Sequence, residues 1–151
     1  MSDSVVSAAK IRSHAMDLLT GREFARGELQ QKLNKKFEHD PQIISVIDRL
    51  IVDGLQSDER YVGAFVRSRV IRGQGLNRIR MEIKNKGIDL FTFDQFIEEQ
   101  DIDWFELARE VAVRKYGETK AVDQKAKSKR MRFLHYRGFT FDQITFALSV
   151  D

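Results

Sequence analysis

The hexapeptides Phe91-Thr92-Phe93-Asp94-Gln95-Phe96 and Phe139-Thr140-Phe141-Asp142-Gln143-Ile144 agree at five of six positions and lie 48 residues apart. Each has the form of a helix start. Thr92 with Gln95, and Thr140 with Gln143, have capping-box spacing, while Phe91 with Phe96 has the spacing of a hydrophobic staple. A start signal that returns at a fixed place in the rhythm of helices indicates an internal repeat, which constrains a fold more tightly than composition does.

The surrounding rhythm is consistent with three copies of a three-helix unit. In the first, a helix from about Ser4 to Thr20 carries Ala8, Ile11, Ala15, Leu18 and Leu19 and stops at Gly21; a second spans about Gly27 to Lys36. The third is bracketed by Asp40 as cap, Pro41 in the first turn and Gly54 after the end, each suited to its position. In the second unit Ser57 caps a helix bearing Tyr61, Phe65, Val66 and Val70; after Gly73 and Gly75 comes a helix with Leu76, Ile79 and Ile83, ended by Gly87. The third unit opens with Asp103 and Glu106 as a capping box and Ile102 with Leu107 as a staple, runs to Gly117, and continues with a helix over about Lys120 to Arg137. The predicted units are 1–56, 57–101 and 102–151, the first being the most diverged. The fold class is therefore all-α: three tandem three-helix repeats in an elongated, curved array, about 70 Å long if each unit is about 25 Å across.

Composition agrees. One proline and nine glycines interrupt the chain, and strict apolar/polar alternation is scarce, which disfavours strands. Cysteine is absent, removing disulfides and thiolate chemistry. No stretch has the roughly 18 apolar residues of a membrane span and the start lacks the pattern of an export signal, so a cytoplasmic protein without membrane contact is expected.

The residues offer no catalytic constellation. His14, His39 and His135 are isolated from one another and have no carboxylate at metal-ligand spacing, so neither a metal site nor a cofactor is expected. Gly73-Gln74-Gly75 falls short of the dinucleotide fingerprint and follows a helix instead of a strand. Glu98-Glu99 and Asp101 with Asp103 sit at predicted helix ends with no nucleophile beside them. Trp104, Phe91, Phe93, Phe139 and Phe141 are predicted to pack in cores and not to serve as base-stacking platforms. The chain is expected not to be an enzyme.

Functional content lies in the charge. The net charge is only +3, yet residues 1–56 and 57–101 are each balanced at eight basic and eight acidic side chains, while 102–151 hold ten and seven. Two clusters stand out as candidate partner- or DNA-binding residues: Arg67, Arg69, Arg72, Arg78, Arg80 and Lys84, opposed locally by Glu82 alone, and Lys125, Lys127, Lys129, Arg130, Arg132 and Arg137 with no acid among them. Both are predicted on the second helix of a unit or the loop leading into it, so together they would form a stripe facing a polyanion. A solvated face is the competing explanation for either cluster alone. Major-groove reading by the third helices is disfavoured, since these carry Asp48 and Asp53, then Asp94, Glu98 and Glu99, then Asp142, and phosphate would repel them.

The order and spacing of several of these residues resemble the bacterial RecX regulatory family over almost the whole chain. Asp58-Glu59-Arg60-Tyr61, then Arg67, Arg69, Gly75, Arg78 and Ile79, then Lys86-Gly87-Ile88 are similar to its central repeat. Lys129, Arg132-Phe133-Leu134 and Arg137-Gly138-Phe139 are similar to its C-terminal repeat. Leu18-Leu19, Arg22-Glu23-Phe24 and Glu28-Leu29 fit the first. A serine common in that family near Ala25 is missing, which predicts a less firmly capped second helix. The resemblance implies a protein that binds the RecA filament on single-stranded DNA, lies in its groove, and restrains recombinase, ATPase and coprotease activity in DNA repair and the SOS response; a monomer is expected. The basic clusters by themselves would equally suit a stand-alone, nonspecific nucleic-acid binder.

Overall fold

The computed structural model describes residues 6–149, which form nine helices and no strand. They are α1 (Ala8–Gly21), α2 (Arg26–Lys36), α3 (Gln42–Val52), α4 (Asp58–Ile71), α5 (Leu76–Asn85), α6 (Leu90–Glu99), α7 (Trp104–Tyr116), α8 (Gln124–Tyr136) and α9 (Phe141–Leu148). Their apolar faces close into three cores. The first holds Ile11, Leu29, Leu33, Ile43, Ile47 and Leu50; the second Tyr61, Val62, Val66, Ile79, Ile83 and Phe93; the third Ala108, Val111, Leu134, Phe139 and Ile144. In the third unit Ala108, Ala112 and Ala147 are all buried; such small side chains let helices approach closely, and α7 and α9 pack against each other there.

The helix ends follow local chemistry. Ser7 caps α1 through Lys10 N–H, so that helix starts later than its apolar spacing suggests, and the expected first residue, Ser4, lies outside the described residues. Asp40 accepts from Gln42 N–H ahead of α3, and Ser57 accepts from Arg60 N–H at α4. Asp123 caps α8 through Ala126 N–H, which shortens the predicted Lys120 start by four residues. Helices α3, α4, α5 and α8 end alike: Gly54, Gly73, Gly87 and Gly138 all have positive φ, and the following residue's N–H reaches back five positions, as in Ile88 to Ile83 O and Phe139 to Leu134 O. This is the Schellman arrangement.

That ending corrects the register of the repeat. Behind Gly87 the motif seats Ile88, and Asp89 then caps α6 by accepting from Phe91 N–H; behind Gly138 it seats Phe139, and Thr140 caps α9 in a complete box with Gln143. Structurally equivalent positions are therefore 51 residues apart (Gly87 and Gly138, Ile88 and Phe139, Asp89 and Thr140). The identical hexapeptides occupy different places. Thr92 is inside α6 and caps nothing, Phe91 is 70% exposed and Phe93 fully buried, so the apolar pair bracketing this start is Ile88 with Phe93. In the last unit the predicted box stands, but Phe141 projects outward and Phe139 is buried. At α7 Asp103 caps through Glu106 N–H, but Ile102 and Trp104 pack against the second core and Leu107 against the third. Trp104 thus fastens the start of α7 to the preceding unit and does not serve its own.

Successive units meet at two different joints. Between the second and third, Gly75 N–H donates to Arg137 O at 2.7 Å and Asn77 N–H to Gly138 O at 3.1 Å. The carbonyl end of α8 thereby satisfies the free amides of α5, and the two helix dipoles meet head to tail. The approach is possible only because both turns are glycine: a Cβ on Gly75 would lie 2.5 Å from the Gly138 backbone, and one on Gly138 would lie 2.5 Å from Arg78 Cβ.

Between the first and second units the joint is made by polar side chains. Asp58 accepts from Arg26 N–H (2.8 Å) and from Gln56 (3.0 Å), buried Gln56 also donates to Phe24 O (3.0 Å), and Arg60 pairs with Glu23 (3.0 Å). Ala25 offers no side-chain acceptor and is buried in the second core, so the start of α2 is held by Asp58 and by Glu28, whose carboxylate accepts from Ala25 N–H. The expected weak start is supplied from elsewhere.

Glu28 also contacts Arg22 (3.3 Å) and Lys86 (3.5 Å). Partial burial works against its charged form, but the Ala25 N–H bond, Arg22 and Lys86 outweigh that and hold its carboxyl below the usual range. Tyr61, pressed by burial and by the Glu28 charge, is pushed up to about 12. A carboxyl lowered in the fold contributes stability above its unfolded pKa and loses it as pH falls through the folded value. Urea unfolding of Glu28→Gln should therefore show a shallower loss of stability on acidification below about pH 4.5 than the parent chain; parallel curves would remove Glu28 from the joint.

Candidate functional site

The twelve basic residues selected from sequence do not form one patch. Arg67 and Arg69 lie within α4, the first helix of its unit, and not on the second helix or its leading loop as expected. Arg69 sits 3.4 Å from Glu82 and over the Phe65 ring at 4.3 Å, half-buried. Arg80 forms a two-pronged pair with Asp94, both bonds at 3.0 Å. Glu82 is thus not the sole local opponent: Asp94, on α6, folds back onto α5, and its carboxyl is lowered first by the Arg80 hydrogen bond.

Others are structural ties. Arg137 donates to Arg72 O (2.9 Å) and Gly73 O (3.4 Å) and covers the Phe133 ring, clamping the joint between units. Arg130 donates to Thr119 O at 2.7 Å and stacks on Tyr116. Arg72 is exposed at the end of α4, and Arg67 folds back beside Gly63 and Phe96.

What remains is ordered. On α8, Lys125, Lys129, Arg132 and Tyr136 are spaced by four, three and four residues, which places them on one helix face; all four are exposed. On α5, Asn77, Met81 and Lys84 have the same property. Because the end of α8 is bonded to the start of α5, these two faces adjoin at a shallow groove lined by Asn77, Arg78, Met81, His135 and Tyr136, with no acid among its walls. Among the described residues no acid lies within ion-pair distance of Lys84, Lys125, Lys129 or Arg132. Lys127 is exposed on another face, toward α9. Sequence reasoning missed Tyr136 and Met81. The spacing of Tyr136 from Arg132 and Lys129 was the available signal, but only the joint puts Met81 next to it.

No group of three His, Asp or Glu among the described residues could hold a metal, and no described helix is long and apolar enough to cross a membrane. Fold and surface together define an all-helical repeat protein whose distinctive chemistry is an exposed cationic track.

The third three-helix domain of RecX matches residues 101–148 and the second matches 57–94. The regulatory protein RecX of Acinetobacter baylyi is 38% identical over 147 residues, covering 97% of this chain and 91% of that protein; the one from Vibrio campbellii is 41% identical over 137 residues, covering 91% and 88%. The crystal structure of RecX from Lactobacillus salivarius superposes with a TM-score of 0.77 over 93% of both chains at 23% identity, and a second RecX crystal structure with 0.80 over 95% and 73% at 20%. The chain belongs to the RecX family of regulatory proteins, and is a regulatory protein and not an enzyme.

Proposed function

We propose that this chain, as a cytoplasmic monomer of units 1–56, 57–101 and 102–151, binds the RecA filament on single-stranded DNA. It lies in the helical groove and restrains recombinase, ATPase and coprotease activity in DNA repair and the SOS response. Membership of the RecX family supports the partner. The observation that carries the mode of contact is the head-to-tail joining of α8 and α5, which turns two separate basic helices into one track. A track of exposed cations without acid neighbours suits a long polyanionic or acidic surface.

The test is affinity for RecA-coated single-stranded DNA across a salt series. Lys129→Glu with Arg132→Glu should weaken binding and flatten the salt dependence, by about 0.7 in logarithmic slope for each phosphate no longer neutralised. Lys10→Glu with Lys36→Glu changes net charge equally on the first unit and should do little. Near-parent binding by both would reduce the track to a solvated face, while equal weakening on naked and coated DNA would favour the stand-alone nucleic-acid binder.

A further inference from the structure

The groove where α8 meets α5 holds a feature that charge attraction does not need. Tyr136 is 75% and Met81 65% exposed, which puts apolar surface in the middle of a cationic track. Neither completes a core: both lie outside the three apolar clusters. The Arg78 guanidinium lies over the Tyr136 ring at 5.1 Å, and Arg78 Cβ is wedged against Gly138, so the ring stands beside a fixed cation on a rigid joint. His135 and Asn77 add polar edges to the same groove.

We infer that this groove is a stacking site for an unpaired base of single-stranded nucleic acid, with Tyr136 as the platform and Arg132, Arg78 and Lys84 holding the flanking phosphates. The inference rests on the proposed polyanion-facing track and adds a strand preference to it. Three properties select this ligand. The flanking cations without any acid in the groove match a polyanion; the exposed aromatic face offers what a base, and not a phosphate, can use; and a base inside a duplex is stacked on both sides and unavailable to the ring. A charged track alone would bind single and double strands alike. The platform makes the difference between them. An acidic peptide with one apolar anchor is the competing occupant, and it would be satisfied by any bulky apolar side chain at position 136.

The experiment uses the full chain and a dye-labelled thymidine oligonucleotide, with a duplex of equal length as control. An oligonucleotide carrying one 2-aminopurine reports stacking by its loss of fluorescence. Tyr136→Phe should bind the single strand as the parent does and quench the base equally. Tyr136→Ala and Tyr136→Leu should each weaken single-strand binding by roughly 5- to 150-fold, which is the 1–3 kcal/mol of one stacked base, and abolish quenching, with duplex binding and the salt slope unchanged. Unaltered melting temperatures check that the exposed position leaves the fold intact. Full binding by Tyr136→Leu would assign the groove to an apolar anchor and overturn the stacking site. Equal loss on single strand and duplex would overturn it as well, as would a parent chain that binds the single strand without quenching. The filament measurement with Lys129→Glu and Arg132→Glu separates the two ideas: if that pair fails to bind while the Tyr136 variants behave as the parent, the track stands and the platform falls.

Discussion

Gly138→Ala is expected to be the most damaging single-methyl change in the chain. Two costs coincide there. The residue has φ +100°, a backbone state that side chains rarely adopt, and its added Cβ would sit 2.5 Å from Arg78 Cβ and 2.6 Å from Arg78 N. Strain at positive φ costs about 1–3 kcal/mol and forced overpacking about 1–3 more, so unfolding by urea should show a loss of about 2–6 kcal/mol. That is a large part of the 5–15 kcal/mol that ordinarily holds a domain together. Gly54→Ala separates the terms: its φ is +76° but nothing lies within 4 Å of the new methyl, so only the strain cost of about 1–3 kcal/mol applies. Gly75→Ala supplies the other half, with φ −81° and a steric clash alone. If Gly138→Ala proves no worse than Gly54→Ala, the joint between α5 and α8 is not as drawn, and the single cationic track goes with it.

The second large effect distinguishes the register of α6. Phe93→Ala should cost about 3–5 kcal/mol, the range for emptying a buried phenylalanine site, because the ring is fully buried in the second core. Phe91→Ala should stay within about 0.5 kcal/mol, its ring being 70% exposed. A start capped by Thr92 would place Phe91 in the staple and make Phe91→Ala costly as well. The caps give a smaller check of the same point: Asp89→Ala should cost about 1 kcal/mol, whereas Thr92→Ala, which removes no cap, should cost less. Thermal or urea denaturation of the four variants resolves the two registers, since only a start capped by Thr92 makes Phe91→Ala and Thr92→Ala costly.

The register error shows where sequence reasoning fails. Identity between Phe91–Gln95 and Phe139–Gln143 is real, and at the second site the cap, the box and the buried Phe139 all appear as the motif predicts. At the first, a better-placed acceptor stood three residues earlier. Asp89 follows directly on the Gly87 turn, and the Schellman ending of α5 already commits Ile88 to the core. Local chemistry was sufficient at each position; the competition between two adequate caps was settled by which apolar side chain the core could accept. The same holds for Trp104, whose periodicity fits its own helix but whose ring finds room in the core of the preceding unit.

The candidate surface shows the matching division. Lys125, Lys129 and Arg132 were legible as a basic run on a helix, and their common face follows from spacing alone. Arg80 and Arg137 were equally prominent in sequence, yet one is neutralised by Asp94 and the other is consumed as a clamp on the carbonyls of Arg72 and Gly73. Nothing in the local sequence separates a free arginine from a committed one, because the partners are 14 and 65 residues away.

The helical class, the three-part rhythm and most of the stops are legible along the chain, because apolar spacing, cap residues and glycine turns act within a few residues of one another. Packing between helices settles which start signal is used at α6, which core receives Trp104, and which cations remain exposed. It alone brought Tyr136 beside Met81. Those outcomes depend on the close approach of Gly75 to Gly138, and an approach between residues more than sixty positions apart is set by how whole helices pack, which no short window of sequence contains.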